Sequence, residues 1–169
     1  PFAVTAPAIA LPIAQALVVE MGGEPFEIAE EDRGVYHAAL NHGANFLATV
    51  VAQSKQILST VGIEDPGTFL RPLCEAALDR ALRAGDRGVS GPIPRGDVGT
   101  IREHLSVLEI KAKEENLAGE GQWAHRLEDA RSAYAAMTLH TVDLLEFEGR
   151  ISSQVASEIR AVVREMSEK

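Results

Sequence analysis

The sequence predicts a mainly α-helical protein, a bundle of about five helices preceded by a short β-α-β unit. Three observations carry that expectation. From residue 31 onward, apolar side chains recur at steps of three and four, the spacing of one face of an α-helix. Gly62, the pair Asp65-Pro66, Gly119 and Gly149 fall between those runs, where helices stop and start. Residues 2–29 instead hold two short strand-like runs on either side of one apolar helical stretch.

Taken in order, residues 2–6 alternate weakly and stop at Pro7, as a short strand does. Pro7 suits a first helical turn, so a helix is expected from about Pro7 to Met21, with a kink at Pro12. Gly22-Gly23 ends it, and Pro25-Phe26-Glu27-Ile28-Ala29 reads as a second strand. Such a unit is near the size of a minimal parallel crossover, and two short strands do not make a stable sheet alone. It asks for a larger sheet. A long helix then covers 31–61, with Tyr36, Leu40, Gly43, Leu47, Val50, Ser54, Leu58 and Val61 as its inward stripe. Asp65 as N-cap and Pro66 as first residue open the next helix, whose stripe is Phe69, Leu70, Leu73, Ala76, Ala77 and Leu82. Gly85 to Gly96 is the richest loop. A third long helix is expected from about Asp97 to Leu117, turning Ile101, Leu105 and Leu108 inward. A fourth runs from about Gln122 to Phe147 through Trp123, Leu127, Ala130, Tyr134, Met137 and Leu144, and a last one from Ser152 to Met166.

Composition bounds the function. The 169 residues suit one domain, or one domain and a fragment of another. The opening at Pro1, in mid-pattern, suggests a piece of a longer protein. A balance of 16 Lys+Arg against 25 Asp+Glu, net −9, argues against a nucleic-acid binder, which needs a basic face. One cysteine, Cys74, excludes a disulfide framework and a Cys-based zinc site; no metal site is expected, and reducing cytoplasm is the default compartment. The apolar run Ala6–Val19 has no basic residue before it and is too short to span a bilayer, so no membrane association is expected.

Two places could carry chemistry. His37, Asn41 and Asn45 stand at i, i+4 and i+8, a row on one helical flank drifting about 40° per step. Asparagine is a poor helix former and costs free energy if buried unpaired. The row is either a set of donors facing a polar ligand, with Gly43, Ala44 and Ala48 allowing close approach, or a partly exposed face bonded to neighbouring loops. The second place is Ser90-Gly91-Pro92-Ile93-Pro94-Arg95-Gly96-Asp97, with Thr100 and His104 beyond. Arg95 offers a guanidinium fork for a carboxylate or phosphate, beside a helix N-terminus. The alternative is a turn capped by Asp97 with Arg95 in water. No Gly-x-Gly-x-x-Gly, Walker loop or His-Glu-x-x-His occurs.

Tyr36-His37-Ala38-Ala39, Asn45-Phe46-Leu47, Leu70-Arg71-Pro72-Leu73 and Gly91-Pro92-Ile93-Pro94-Arg95-Gly96-Asp97, with Thr100 and His104-Leu105, together resemble the C-terminal part of Rossmann-like NADP-dependent oxidoreductases. The resemblance spans roughly residues 1–145. It is to a helical C-terminal domain long catalogued as of unknown function, in the 6-phosphogluconate dehydrogenase-type superfamily, where some relatives are ketopantoate reductases in pantothenate synthesis. It implies that residues 1–30 are the last β-α-β piece of a Rossmann-like nucleotide-binding domain, and that 31–169 form a helical substrate-binding and dimerisation domain. It also implies NADP as cofactor, held mainly by a domain outside this chain. Ketopantoate reductases carry Lys-x-x-x-Asn-x-x-x-Asn where this sequence has His37-x-x-x-Asn41-x-x-x-Asn45. Histidine, with an ordinary pKa near 6.5, is an alternative proton donor.

The expected function is the substrate-binding and dimerisation part of an NADP-dependent reductase of a small keto acid, 2-dehydropantoate being one candidate. His37, Asn41 and Asn45 are the expected catalytic residues, and Arg95, Asp97 and His104 the substrate-binding ones. A homodimer is expected, and the chain alone is not expected to turn over. The alternative is a non-catalytic helical interaction or ligand-binding module.

Overall fold

The structure, a computed structural model, describes residues 1–119 and 121–168, with side chains for all of these except 121–124. It is mainly helical, with a two-stranded parallel sheet at the N-terminus. The chain forms two compact units, Pro1–Val50 and Val51–Lys169.

In the first unit β1 (Phe2–Val4) pairs in parallel with β2 (Pro25–Glu27), Phe2 opposite Pro25 and Val4 opposite Glu27. The connection is α1 (Leu11–Glu20), whose Val18 is buried, as is Val4. Gly22 takes a φ of +77°, which the return to β2 requires, and the Phe2 ring packs closely over Gly23. The helix begins later than its sequence suggests. Pro7 makes a turn, its carbonyl accepting from Ala10 and Leu11, and Pro12 sits in the first turn of α1. No kink is needed there, because a first-turn nitrogen has no intrahelical acceptor to lose.

The helix expected over 31–61 is broken into segments of different pitch. A 3-10 turn at Glu30–Asp32 leads into α2 (Arg33–Asn41), a π-turn spans His42–Phe46, and α3 (Leu47–Ser59) follows. The division between the two units falls within α3.

The second unit continues with α4 (Pro66–Ala84), α5 (Val98–Leu117), α6 (Gly121–Phe147) and α7 (Ser153–Ser167). Three of the N-caps are side-chain oxygens: Asp65 accepts from Thr68 N at 3.1 Å, Asp97 from Thr100 N at 3.0 Å and Ser152 from Val155 N at 3.3 Å. The core is built where α5, α6 and α7 meet. Ile101 and Leu105, Val142 and Leu145, and Ala156 and Ile159 are essentially fully buried there. An ion pair from Arg102 to Glu165, at 2.8 Å, ties α5 to α7, and Arg160 ties α7 to Asp143 and Glu146 of α6 at 2.6 and 2.7 Å.

Not every apolar stripe is buried. Ile101, Leu105 and Leu108 turn inward as their spacing requires. Tyr36, Leu40, Leu47 and Val61 are exposed, and on α4 Phe69, Leu73 and Leu82 are 64%, 67% and 79% exposed. Periodicity marks which face of a helix is apolar, and burial needs a second surface over that face. On α6 the inward face passes through Leu127, Ala130, Val142 and Leu145, so Met137 and Leu144, assigned to the stripe from spacing, lie outside it. Trp123 lies outside the described side chains.

Candidate functional site

The two sets of site residues expected from sequence fall in different units. His37, Asn41 and Asn45 belong to Pro1–Val50, and Arg95, Asp97 and His104 to Val51–Lys169.

In the first unit the three residues are all exposed. Asn45 Nδ2 donates to Asn41 Oδ1, so the two amides form one bonded pair. That bond runs alongside the π-turn His42–Phe46, which widens the helix by one residue within the row. Isolated π-turns interrupt α-helices at a cost in hydrogen-bond geometry and recur at functional sites. His42 turns elsewhere, its ring edge-on to Phe46 with centroids 5.3 Å apart.

The row has a fourth member that the sequence reading passed over. Arg33 stands four residues before His37, on the same flank, and its Nη1 donates to Thr5 Oγ1 at 3.1 Å. Thr5 in turn donates to Ile28 O at 2.7 Å. These bonds fasten the start of α2 to the carboxyl ends of β1 and β2. A cleft of about 390 Å³ opens at those ends, lined by Thr5, Ala6, Pro7, Glu27 and Glu30 among others. In open parallel sheets this edge is where ligands bind. The i−4 spacing was the signal for Arg33; the part played by Thr5 had no local signal, because 28 residues separate the two.

In the second unit the loop Gly85–Gly96 is held in one shape. It contains 3-10 turns at Gly85–Gly88 and Ile93–Arg95. The Arg150 guanidinium donates to Asp86 O and Val89 O. A Cβ on Gly88 would sit 2.9 Å from Arg80 O, so the loop runs directly against α4. Its end delivers Arg95 and Asp97. Asp97 Oδ1 caps α5 through Thr100 N, and Oδ2 accepts from Thr100 Oγ1 at 2.7 Å. The Thr100 hydroxyl and amide hold the Asp97 carboxyl below the usual carboxylate range, with Arg95 and His104 pulling the same way and partial desolvation opposing. Arg95 Nη2 lies 4.0 Å from Asp97 Oδ2, and its side chain is 64% exposed. His104 Nδ1 lies 2.8 Å from the Tyr134 hydroxyl of α6, with the two rings edge to face at 5.6 Å. Desolvation pushes the Tyr134 phenol up, and a hydrogen bond to Thr138 partly offsets it. Asp97, Thr100 and His104 therefore stand on one face of α5, at i, i+3 and i+7, with Tyr134 reaching in from α6.

Among the described residues, no group of three or more His, Cys, Asp or Glu could hold a metal ion, and no helix is long and apolar enough to cross a membrane. A pyrophosphate cradle is not present either. The turn after β1 is Thr5-Ala6-Pro7, with no glycine for close approach and a proline nitrogen that has no hydrogen to give. This turn therefore does not fit the phosphates of a dinucleotide.

A short parallel β-α-β unit followed by helices, with a capped, Pro- and Gly-rich loop, places the chain among mostly helical proteins with a small parallel sheet. Within that class, the chain belongs to the family described as a domain of unknown function, DUF2520, whose model matches residues 1–141. No curated protein and no solved structure matches the chain.

Proposed function

We propose that this protein is the substrate-binding and dimerisation part of an NADP-dependent oxidoreductase that reduces a small keto acid. The observation that carries the reading is the parallel pairing of β1 with β2 across α1. A two-stranded parallel sheet does not stand alone, and parallel sheets belong to α/β folds covered on both faces. A nucleotide-binding domain supplies the further strands, and with them the cofactor's phosphate site that the Thr5-Ala6-Pro7 turn does not form.

The chain's own residues supply the substrate side. His37 is the proton donor to the carbonyl oxygen of the substrate, and Asn41 and Asn45 position carbonyl or hydroxyl groups. Their bond to each other leaves the Asn41 side-chain amide hydrogens and Asn45 Oδ1 for a ligand, a mixed donor and acceptor set suited to a hydroxy or keto group. In the second unit, described by itself, Arg95 is the group suited to a carboxylate, with Asp97 4.0 Å away and His104 further along α5. Ketopantoate is one such substrate.

The experiment is an NADPH-oxidation screen of the full-length protein against 2-keto acids. Turnover with one of them is the expected result, and no NADPH oxidation across the set would overturn the reading. Calorimetry of the 169-residue chain gives a second readout. NADPH should bind it weakly or not at all, and micromolar binding would place the phosphate site within this chain.

A second reading, a helical interaction module without redox chemistry, draws on the exposed apolar side chains of α4. The same screen separates the two.

A further inference from the structure

Tyr134 belongs to no motif and lies 30 residues from the histidine it touches, yet the fold brings its hydroxyl to 2.8 Å from His104 Nδ1. A phenol hydroxyl donates or accepts, and the stronger pairing sets its acidic O–H against the basic imidazole nitrogen. The phenol is half withdrawn from water, which pushes its pKa up and keeps its hydrogen in place at neutral pH. Neutral imidazole has one nitrogen that accepts and one that donates, and the bond made by one decides the state of the other. A tyrosine donating to Nδ1 leaves Nε2 as the N–H. The edge-to-face packing of the two rings holds the imidazole plane in place as well.

Three side chains accompany this pair at the start of α5: Arg95, Asp97 and Thr100. Asp97, the nearby acid, has both oxygens engaged by Thr100 in capping α5, and Arg95 faces its charge. Arg95, at 4.0 Å from Asp97, keeps its guanidinium largely in water. His104 is exposed and stands two turns along α5 from Asp97. Along this ladder the groups available to an incoming ligand are donors.

We propose that Tyr134 is a positioning residue for His104: it fixes the imidazole as the Nε2–H tautomer and so presents, with Arg95, a donor set for the carboxylate of a small acid. The inference rests on the substrate-binding reading of Arg95 and His104 given above and adds to it the residue that sets the histidine's state. It assigns no part to the cofactor.

The test uses the protein with ¹⁵N-labelled histidine. Long-range ¹H–¹⁵N spectra report which ring nitrogen carries hydrogen, and His104→Gln identifies the His104 signals among the five histidines. The expected spectrum has His104 protonated at Nε2 and bare at Nδ1. In Tyr134→Phe, which removes only the hydroxyl, both resonances should move toward the averaged positions of a free imidazole. A wild-type His104 protonated at Nδ1, or resonances unmoved in Tyr134→Phe, would overturn the positioning role. The wild-type spectrum decides even if the variant does not fold. Pyruvate is then the carboxylate probe. A saturable shift of His104 Nε2, lost in Arg95→Gln and weakened in Tyr134→Phe, is expected. No shift with pyruvate would overturn the carboxylate subsite. These spectra need no NADPH, so a failed reductase screen beside a positive pyruvate titration would discard the reaction and keep the subsite.

Discussion

Asn45 separates a structural row from a functional one. Its amide is exposed and donates to Asn41, so little folding free energy depends on it. Surface substitutions of that kind change stability by about 0.5 kcal/mol or less. On the proposed reading, Asn45→Ala should leave the melting temperature nearly intact and lower kcat/KM of the full-length protein about tenfold or more, since a donor lost to the substrate is worth at least about 1.4 kcal/mol. His37→Gln should reduce kcat more than it raises KM, because a proton donor acts mainly in the transition state. Unchanged turnover in both variants would remove the row from catalysis. Arg131 shows the opposite kind of residue. It is 8% exposed, donates to Glu128 Oε1 and to Met166 O, and lies 3.7 Å from Glu109, so it joins α5, α6 and α7 and is structural.

At the scale of elements, α7 and α4 behave differently. α7 buries Ala156, Ile159, Val162, Val163 and Met166 against α5 and α6, although it lies beyond the residues that the family model matches. Ile159→Ala should cost about 2–5 kcal/mol, the range for deleting a buried aliphatic side chain, read as a lower denaturant midpoint. A chain ending at residue 150 should lose the cooperative unfolding transition of the second unit; retention of that transition would show that α5 and α6 fold without it. α4 leaves Phe69, Leu73 and Leu82 exposed. Phe69 and Leu73, four residues apart, share one face of α4, a candidate interaction surface; two-fold dimers are the commonest homo-oligomers. Light scattering should give the mass of a homodimer, and Leu73→Glu should shift it toward monomer. A monomer mass for the unmodified protein at micromolar concentration would refute the assembly.

For the whole molecule the carboxylates set the acid limit. The Arg160 hydrogen bond, followed by one from Ser153, lowers the Glu146 pKa, and Thr100 and Thr68 lower those of Asp97 and Asp65. Each group is bound as the anion in the folded state. Its contribution is therefore complete above the ordinary carboxylate range and is lost as pH falls through that range to the lower folded value. Stability should be flat near neutrality and decline below about pH 4.5, the ordinary value from which the Glu146 carboxyl is lowered. Glu146→Gln should make that decline shallower, as measured by urea midpoints across pH; an unchanged slope would show that the Arg160 pair contributes nothing to folding.

Much of this architecture follows from local chemistry. The mainly helical class, the Asp65 and Asp97 caps and the inward face of α5 all rest on contacts within a few residues or on a single periodicity, and the parallel β-α-β start rests on two strand-like runs set a crossover's length apart. The His37–Asn41–Asn45 spacing was legible for the same reason. Three things were decided only in three dimensions. The π-turn at His42–Phe46 interrupts a pattern that reads as continuous helix, because helical spacing tolerates one extra residue in a turn. The stripes of α2 and α4 stay exposed, because an amphipathic face does not name the surface that covers it. The bonds Arg33–Thr5 and Tyr134–His104 join residues 28 and 30 positions apart. No periodicity links such positions: only the path of the backbone brings them within hydrogen-bonding distance, and local sequence sets the pieces of that path without setting where they meet.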